Sequence, residues 1–263
     1  MLKIKNLNLK INNKQILQDI SFEVVSGEIF NILWHNGSWK TSLLKSIIWL
    51  NTVDWEIMLK SPLAPLFKGG NKQNPPSPLF KGGNDDSKII NLQELSIPER
   101  AKSWISYIMQ EIPEYTGIPV ETYLKWILKD KFDLARVSKL FEDFGLDYEI
   151  YKTRFFDSHL SGWERKKVEI ISNFLMDKDL YLLDEIEASL DATSRDVLIK
   201  LILEYKKAWK TFIIVSHSKD ILELASRWIL LCNWVIDKTW ENSKLLKKYF
   251  WTCGGCEWWE CKK

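Results

Sequence analysis

GEIFNILWHNGSWKTSLLKSIIWL, residues 27–50, reads as a buried strand, a loop and a helix at about 40–50. The loop keeps the spacing G-x-x-x-x-G-K-[ST], with Lys40 and Thr41 in place and Trp34 and Trp39 in both glycine slots. A loop of this pattern wraps a nucleotide's phosphates in backbone N–H groups, while its lysine reaches the β- and γ-phosphates and its Ser or Thr holds Mg2+. Trp34, His35, Asn36, Gly37, Ser38, Trp39, Lys40, Thr41 and Ser42 therefore form the candidate nucleotide-binding loop. Glycine is needed there because the backbone takes positive φ and comes close to the phosphate with no side chain between; an indole fails on both counts. The spacing announces phosphate binding, and the two tryptophans contradict it.

On either side of this loop the chain divides by composition. Residues 2–11 and 16–25 alternate apolar and polar positions as an antiparallel hairpin, and EIMLK, 56–60, reads as a short strand. Residues 61–87 hold PLFKGG twice among Pro, Gly and Asn. Such a segment buries too little apolar surface to offset its ordering entropy, and it is expected to be a disordered insertion. From about 111 to 160, apolar and charged residues at helical spacing predict an inserted helical subdomain. A long helix from 161, the strand LYLLDE, a helix near 193–207, the strand TFIIVSH, a helix at 218–226 and closing strands to about 237 follow. Strands alternating with helices predict an α/β domain over 1–250, with a mainly parallel sheet and ligand at the carboxyl ends of its strands.

Composition narrows the function. A net charge of +2 without a clustered basic surface argues against nucleic-acid binding. The N-terminus MLKIKNLNLK lacks the apolar core of a signal peptide, and no run approaches the length of a membrane span. A soluble, cytoplasmic chain that does not insert in the membrane is expected. The four cysteines do not make a disulfide framework for a chain of this size. Cys253, Cys256 and Cys261, in the tail 251–263, offer three thiolates for a metal or cluster, or form a reduced flexible tail.

LYLLDE, 180–185, is an apolar strand ending in two carboxylates. After a phosphate loop, Asp184 would hold Mg2+ through water and Glu185 would orient or deprotonate an attacking water, the division of labour phosphoryl transfer needs. Gln110 ends ISYIMQ, Ser161 and Gly162 open LSGWE at 160–164, ASLD fills 188–191, and His217 closes IIVSH. In this order, over residues 1–60 and 88–240, the motifs resemble those of ATP-binding cassette (ABC) ATPases. The resemblance implies a P-loop NTPase of ABC type, with a mainly parallel sheet core, an antiparallel β subdomain and an inserted helical subdomain. It implies ATP hydrolysis with ATP and Mg2+ as cofactors. Thr41, Gln110 and Asp184 would serve the metal, and Glu185 and His217 catalysis. Ser161, Gly162, Trp163 and Glu164 would face the γ-phosphate of ATP held by a second subunit, with Asp191 at the seam of a head-to-tail dimer.

Three stretches resemble one branch, SufC, the ATPase of iron–sulfur cluster assembly: INLQELSIPERAKSWISYIMQ, EIPEYTGIPVETYL and SHLSGWERKKVEI. Glu164 stands where transporter cassettes usually carry Gln, and Glu169 where they carry Ala. This resemblance implies SufB- and SufD-like scaffold partners docked on the helical subdomain. The chain departs from it in LLDEIEASLD, in 61–87 and in the tail. The ATP-binding subunit of a membrane transporter uses the same chemistry and is the other reading.

The tryptophans form a pattern. Trp34, Trp39, Trp49, Trp55, Trp104, Trp163, Trp209, Trp234 and Trp240 occupy places where such cassettes usually have glycine. The 11 glycines are about 4% of the chain, and glycine plus the 14 tryptophans about 9.5%, the ordinary share of a loop-rich α/β enzyme. Drift would scatter many residue types over these slots. A single type points to a gene whose UGA codons mean glycine in its own lineage; the alternative is a degenerate, non-hydrolysing scaffold.

Overall fold

A computed structural model of the chain describes residues 2–34, 40–48, 54–60, 89–91, 104–232 and 235–240. The loop 35–39, the repeat 61–87 and the tail with Cys253, Cys256 and Cys261 lie outside the described residues, as do Trp39, Trp49 and Trp234.

Two sheets carry the fold. In the first, β1 (Leu2–Ile11) pairs antiparallel with β2 (Lys14–Val24) on one side and β4 (Asp54–Lys60) on the other, and β5 (Ile89–Asn91) continues it in the order β2-β1-β4-β5. Along β1, Leu2 and Ile4 are buried and Lys3 and Lys5 exposed; Asn6, at φ 52°, then shifts the register so that Leu7 and Leu9 return to the buried face. One extra residue in a strand re-aims every side chain after it.

The second sheet runs β10-β9-β3-β8-β7-β6. Its strands are β3 (Ile29–Trp34), β6 (Ile105–Ile108), β7 (Leu180–Asp184), β8 (Thr211–Val215), β9 (Arg227–Cys232) and β10 (Val235–Trp240). All neighbours pair parallel except β10 with β9. Every residue of LYLLD and TFIIV is buried. A parallel sheet is covered on both faces, so its strands read as unbroken apolar runs rather than alternating ones.

The helices are α1 (Lys40–Ile48), α2 (Val120–Leu128), α3 (Leu134–Asp143), α4 (Tyr148–Tyr151), α5 (Gly162–Leu175), α6 (Ala192–Lys207) and α7 (Lys219–Leu222). The last is four residues long where the sequence suggests a helix over 218–226. One face of the parallel sheet packs with α1 and the antiparallel sheet, through Leu43, Leu44, Ile47 and residues such as Leu7 and Ile20. The other packs with α5, α6 and the segment α2–α4, in a continuous core that includes Phe141, Phe144, Phe156, Phe174, Tyr181 and Phe212. Asp133 and Asp147 start α3 and α4 by accepting from the N–H groups of Ala135 and Glu149, each at 2.9 Å. The architecture is mixed α/β with a mainly parallel core sheet, as the sequence implies.

Candidate functional site

Parallel registers bring four strand tips to one edge. Val215 lies opposite both Ile32 and Asp184, and Leu183 lies opposite Ile108. The carboxyl ends of β3, β8, β7 and β6 therefore present, in spatial order, Trp34, the segment Ser216–His217, the pair Asp184–Glu185, and Met109–Gln110. Ligands bind at this edge of such sheets because the loops and helix N-termini that follow the strands converge there. Helix α1 starts at Lys40, so Thr41 and Ser42 sit half-buried in its first turn, where N–H groups and the helix dipole favour an anion. The side chains of Trp34 and Lys40 fall outside the described ones.

Asp184 is fully buried, and the Tyr107 hydroxyl donates to its Oδ2 at 3.1 Å. Burial, then the Asp184 carboxylate, push the Tyr107 hydroxyl far above its ordinary range. Glu185 stands at φ 48° and donates its N–H to the Val215 carbonyl at 2.9 Å. A non-glycine residue in the left-handed region is strained, and here the strain turns the chain sharply off the sheet just beyond the carboxylates. A carboxylate at Asp184, a hydroxyl at Thr41 and an amide at Gln110 are hard oxygen donors, the type that would suit Mg2+ bound largely through phosphates and water. Among the described residues no group of three His, Cys, Asp or Glu could hold a metal by itself. Gln110 and His217 are exposed at the tips of their strands.

Ser161 caps α5: its hydroxyl accepts from the Glu164 N–H at 3.4 Å, and its own N–H donates to Glu164 Oε2 at 2.7 Å. This reciprocal capping box needs Ser at the cap and Glu three residues on. Tyr151 also bonds Glu164, and Arg154 lies 3.5 Å away. Burial pushes the Glu164 carboxyl up, but the bonds from Tyr151 and Ser161 outweigh it and hold it below its usual value. Gly162 is the first residue of the helix; Trp163 follows, 48% exposed, with the Lys167 ammonium 4.7 Å over its ring. Lys167 also bonds the Phe144 carbonyl and Asp191 Oδ2, each at 3.0 Å. Asp191 caps α6 through the Ser194 N–H at 2.8 Å; that bond and Lys167 hold its carboxyl down to about 2.

Two buried clusters lie beside these residues. Lys166 and Glu169 on α5 form a 2.9 Å ion pair with side chains 0% and 3% exposed. Lys166 donates to the Met109 carbonyl, and the Met109 N–H donates to Glu169 Oε1 at 3.4 Å, so both side chains grip the residue before Gln110. In the second cluster, the Ser216 hydroxyl donates to Glu187 Oε1 and accepts from the Ser218 N–H at 3.0 Å, and Asn31 Nδ2 donates to the Ser216 carbonyl at 3.4 Å. Glu187 and Ser216 are not among the candidates read from the sequence, nor is Tyr107. The one available signal was that LLDEIEASLD places an acid where a short turn must pass under the sheet edge.

A family model described as ABC transporter matches residues 17–188. The chain belongs to this family. The cassette is 27% identical over 263 residues to the "Uncharacterized ABC transporter ATP-binding protein MJ0035" of Methanocaldococcus jannaschii, covering 97% of this chain and 95% of that protein. It is 26% identical to the "Methionine import ATP-binding protein MetN" of Campylobacter jejuni, over 88% of this chain and 68% of that one. Its fold matches the dimeric post-hydrolysis structure of the ATP-binding cassette MJ0796 bound to ADP and Pi, with a TM-score of 0.71 at 17% identity over 92% of this chain and 98% of that one. These relatives carry transporter names, so the comparisons reach the ABC family and stop short of the SufC branch. No helix among the described residues of the cassette is long and apolar enough to cross a membrane.

The described tryptophans separate into types. Trp209 takes φ 63°, in the left-handed region, and its ring is 63% exposed. A Cβ on Gly27 would come within 2.9 Å of that ring. Trp126, Trp163 and Trp228 sit in regular helix or strand, so Trp209 is where a strained tryptophan backbone is seen among the described residues. Trp228 is fully buried in β9, and its indole N–H has no hydrogen-bond partner among the described residues.

Proposed function

We propose that this chain is the ATP-hydrolysing subunit of a membrane ABC transporter, working as a head-to-tail dimer of cassettes on the cytoplasmic side. The names carried by the relatives support the transporter over a scaffold machine. The observation that carries the hydrolytic reading is the row of strand tips: Asp184–Glu185, Ser216–His217 and Met109–Gln110 stand side by side at the edge that α1 reaches with Lys40. Lys40 and Thr41 would grip the phosphates and Mg2+, Asp184 and Gln110 would complete the metal's shell, Glu185 would accept the proton of the attacking water, and His217 would contact the γ-phosphate. Bound Mg2+ supplies charge neutralisation at the β- and γ-phosphates. Ser161 and Gly162 at the start of α5 would close over a partner's ATP, since a helix N-terminus favours the phosphate charge.

SufC-like work on a SufB/SufD-type scaffold is the second reading. The buried Lys166–Glu169 pair favours it, because Glu169 belongs to the stretch that carries that resemblance. Pull-down of the cassette from native cells separates the two: a membrane-embedded partner supports the transporter, a soluble scaffold the second reading.

Hydrolysis also requires glycine at positions 34, 39 and 163, and we assign the tryptophans there to UGA codons that mean glycine in the native lineage. The positive φ of Trp209 supports this assignment. Mass spectrometry of native peptides spanning 30–41 and 155–165 decides it; tryptophan masses leave a degenerate scaffold. The same proposal treats 1–250 as one ATPase domain, with 61–87 as an insertion, 111–160 as its helical subdomain and 251–263 as a tail. Deleting 61–87 is then expected to leave ATPase activity within about twofold. The decisive test of function is Glu185→Gln, which keeps the shape and loses the base: turnover should vanish while ATP binding and dimer formation persist. Undiminished turnover would remove Glu185 from that role.

A further inference from the structure

We propose that Glu187 is a positioning residue for the loop after β8, fixing residues 216–218 and with them His217 from the turn that leads to Asp191. The inference rests on the hydrolytic reading for its consequence but not for its geometry. The chain leaves β7 at Asp184, bends at Glu185 and makes a 3-10 turn, Ile186–Ser189, whose Glu187 is 7% exposed. Such a carboxylate is costly to bury unless it holds something in return. What it holds is Ser216: Oε1 accepts the Ser216 hydroxyl proton, which leaves the Ser216 oxygen free to accept from the Ser218 N–H at 3.0 Å. His217 is therefore enclosed in a short loop pinned on both sides. The Ser216 carbonyl is tied to Asn31 of β3, and the Val215 carbonyl to the Glu185 N–H at 2.9 Å.

One turn thus contacts three parts of the site. Its first end is Glu185, its middle holds the loop of His217, and its last residues run through Leu190 into Asp191, which is fixed to α5 by Lys167. A displacement of Asp191 on dimer closure would pass along this turn to Ser216, because the intervening backbone is a single tight turn and the Glu187–Ser216 bond is its buried link. The second carboxylate oxygen, Oε2, has no hydrogen-bond partner among the described residues. The Glu187 side chain therefore reaches the loop through Oε1 alone. Burial raises the Glu187 carboxyl above its usual range, with the Ser216 hydroxyl, its own backbone N–H and Arg195 opposing the rise and Glu185 adding to it.

The test uses the full chain in its native form and two readouts. The first is independent of hydrolysis: hydrogen exchange of the Ser218 amide and the ring 15N signals of His217, the latter assignable because the chain has three histidines. Glu187→Leu should speed Ser218 exchange at least about tenfold and shift the His217 ring signals, while the Glu185 amide stays protected and so reports an intact fold. Glu187→Met serves if the leucine variant does not fold. Glu187→Gln keeps an acceptor for Ser216 and should match the parent in both signals. The second readout is steady-state ATP hydrolysis, where Glu187→Leu should lower kcat about tenfold with KM for ATP within about twofold, and Glu187→Gln should restore it. Unchanged Ser218 and His217 signals in the apolar variants would overturn the proposal. A parent chain that does not hydrolyse ATP would sink the functional reading, while the exchange and ring signals still decide the role of Glu187.

Discussion

Glu169 and Glu187 are both buried carboxylates that hydrogen-bond a residue beside a strand tip, yet their surroundings are opposite. Glu169 has its ammonium partner at 2.9 Å and the Met109 N–H at 3.4 Å, in a cluster where Lys166 is itself bonded to the Met109 carbonyl. Glu187 takes the Ser216 hydroxyl on Oε1, has no ammonium partner within ion-pair distance, and has nothing on Oε2 among the described residues. A buried polar cluster with every member satisfied behaves as a weld, since no part can move without exposing a charge; one that is half satisfied costs less to disturb. The approach to Gln110 is therefore fixed to α5, and the approach to His217 is held more lightly. The same burial raises both carboxyls above their ordinary range, so the difference lies in partners and not in depth.

The largest expected effect breaks the weld. Glu169→Ala leaves the Lys166 ammonium buried without a counter-charge and should cost about 3–5 kcal/mol, read by denaturant unfolding. The double change Lys166→Met with Glu169→Leu removes both charges and should recover most of it. A small loss in the single variant would mean that water reaches Lys166 and that the cluster is no weld.

Acid sharpens the contrast with carboxylates that accept backbone N–H bonds. Asp157 accepts from the N–H groups of His159 and Gly117, and Asp191 from Ser194; both are held down to about 2 from an ordinary 3.8. A folded value below the unfolded one contributes stability above about pH 4 that is lost as pH falls towards 2. Glu169 and Glu187 are raised and have the opposite sign, so they add nothing to this acid loss. Asp157→Asn should flatten the decline in melting temperature between pH 4 and 2, whereas Glu187→Gln should leave that decline unchanged.

A smaller effect is expected from Glu187→Leu on stability, about 1 kcal/mol, because it leaves Ser216 without an acceptor but also removes a costly buried carboxyl. A loss as large as that of Glu169→Ala would erase the distinction between the two clusters. The smallest change lies away from both: Trp209→Gly at φ 63° should stabilise the chain by up to about 1 kcal/mol in thermal unfolding. A destabilised Trp209→Gly would show that its indole on Gly27 outweighs the backbone strain.

Much of the fold was legible from local chemistry. LYLLDE and TFIIVSH read as buried strands because covered parallel strands are apolar throughout. Ser161 with Glu164 marked the start of α5 because a capping box needs those two residues at that spacing. The helix after His217 is shorter than its sequence implies, since SKDILELAS has helical periodicity but the chain needs that length to enter β9. Nothing in the local sequence marks Lys166 and Glu169 as buried. That they are buried follows from α2–α4 packing over α5, a contact between segments far apart in sequence.

The sequence by itself determined the strand–loop–helix order, the spacing of Lys40, Asp184, Glu185 and His217, and membership of the ABC family, because these depend on residue type and short-range spacing. Tertiary structure alone decided which tips stand side by side. Strand β8 inserts between β3 and β7, so the loop of His217 falls next to Glu187 rather than beside the residues nearest in sequence. Sheet order comes from which apolar faces must be covered at once, and a linear pattern carries that only as a property of the whole chain.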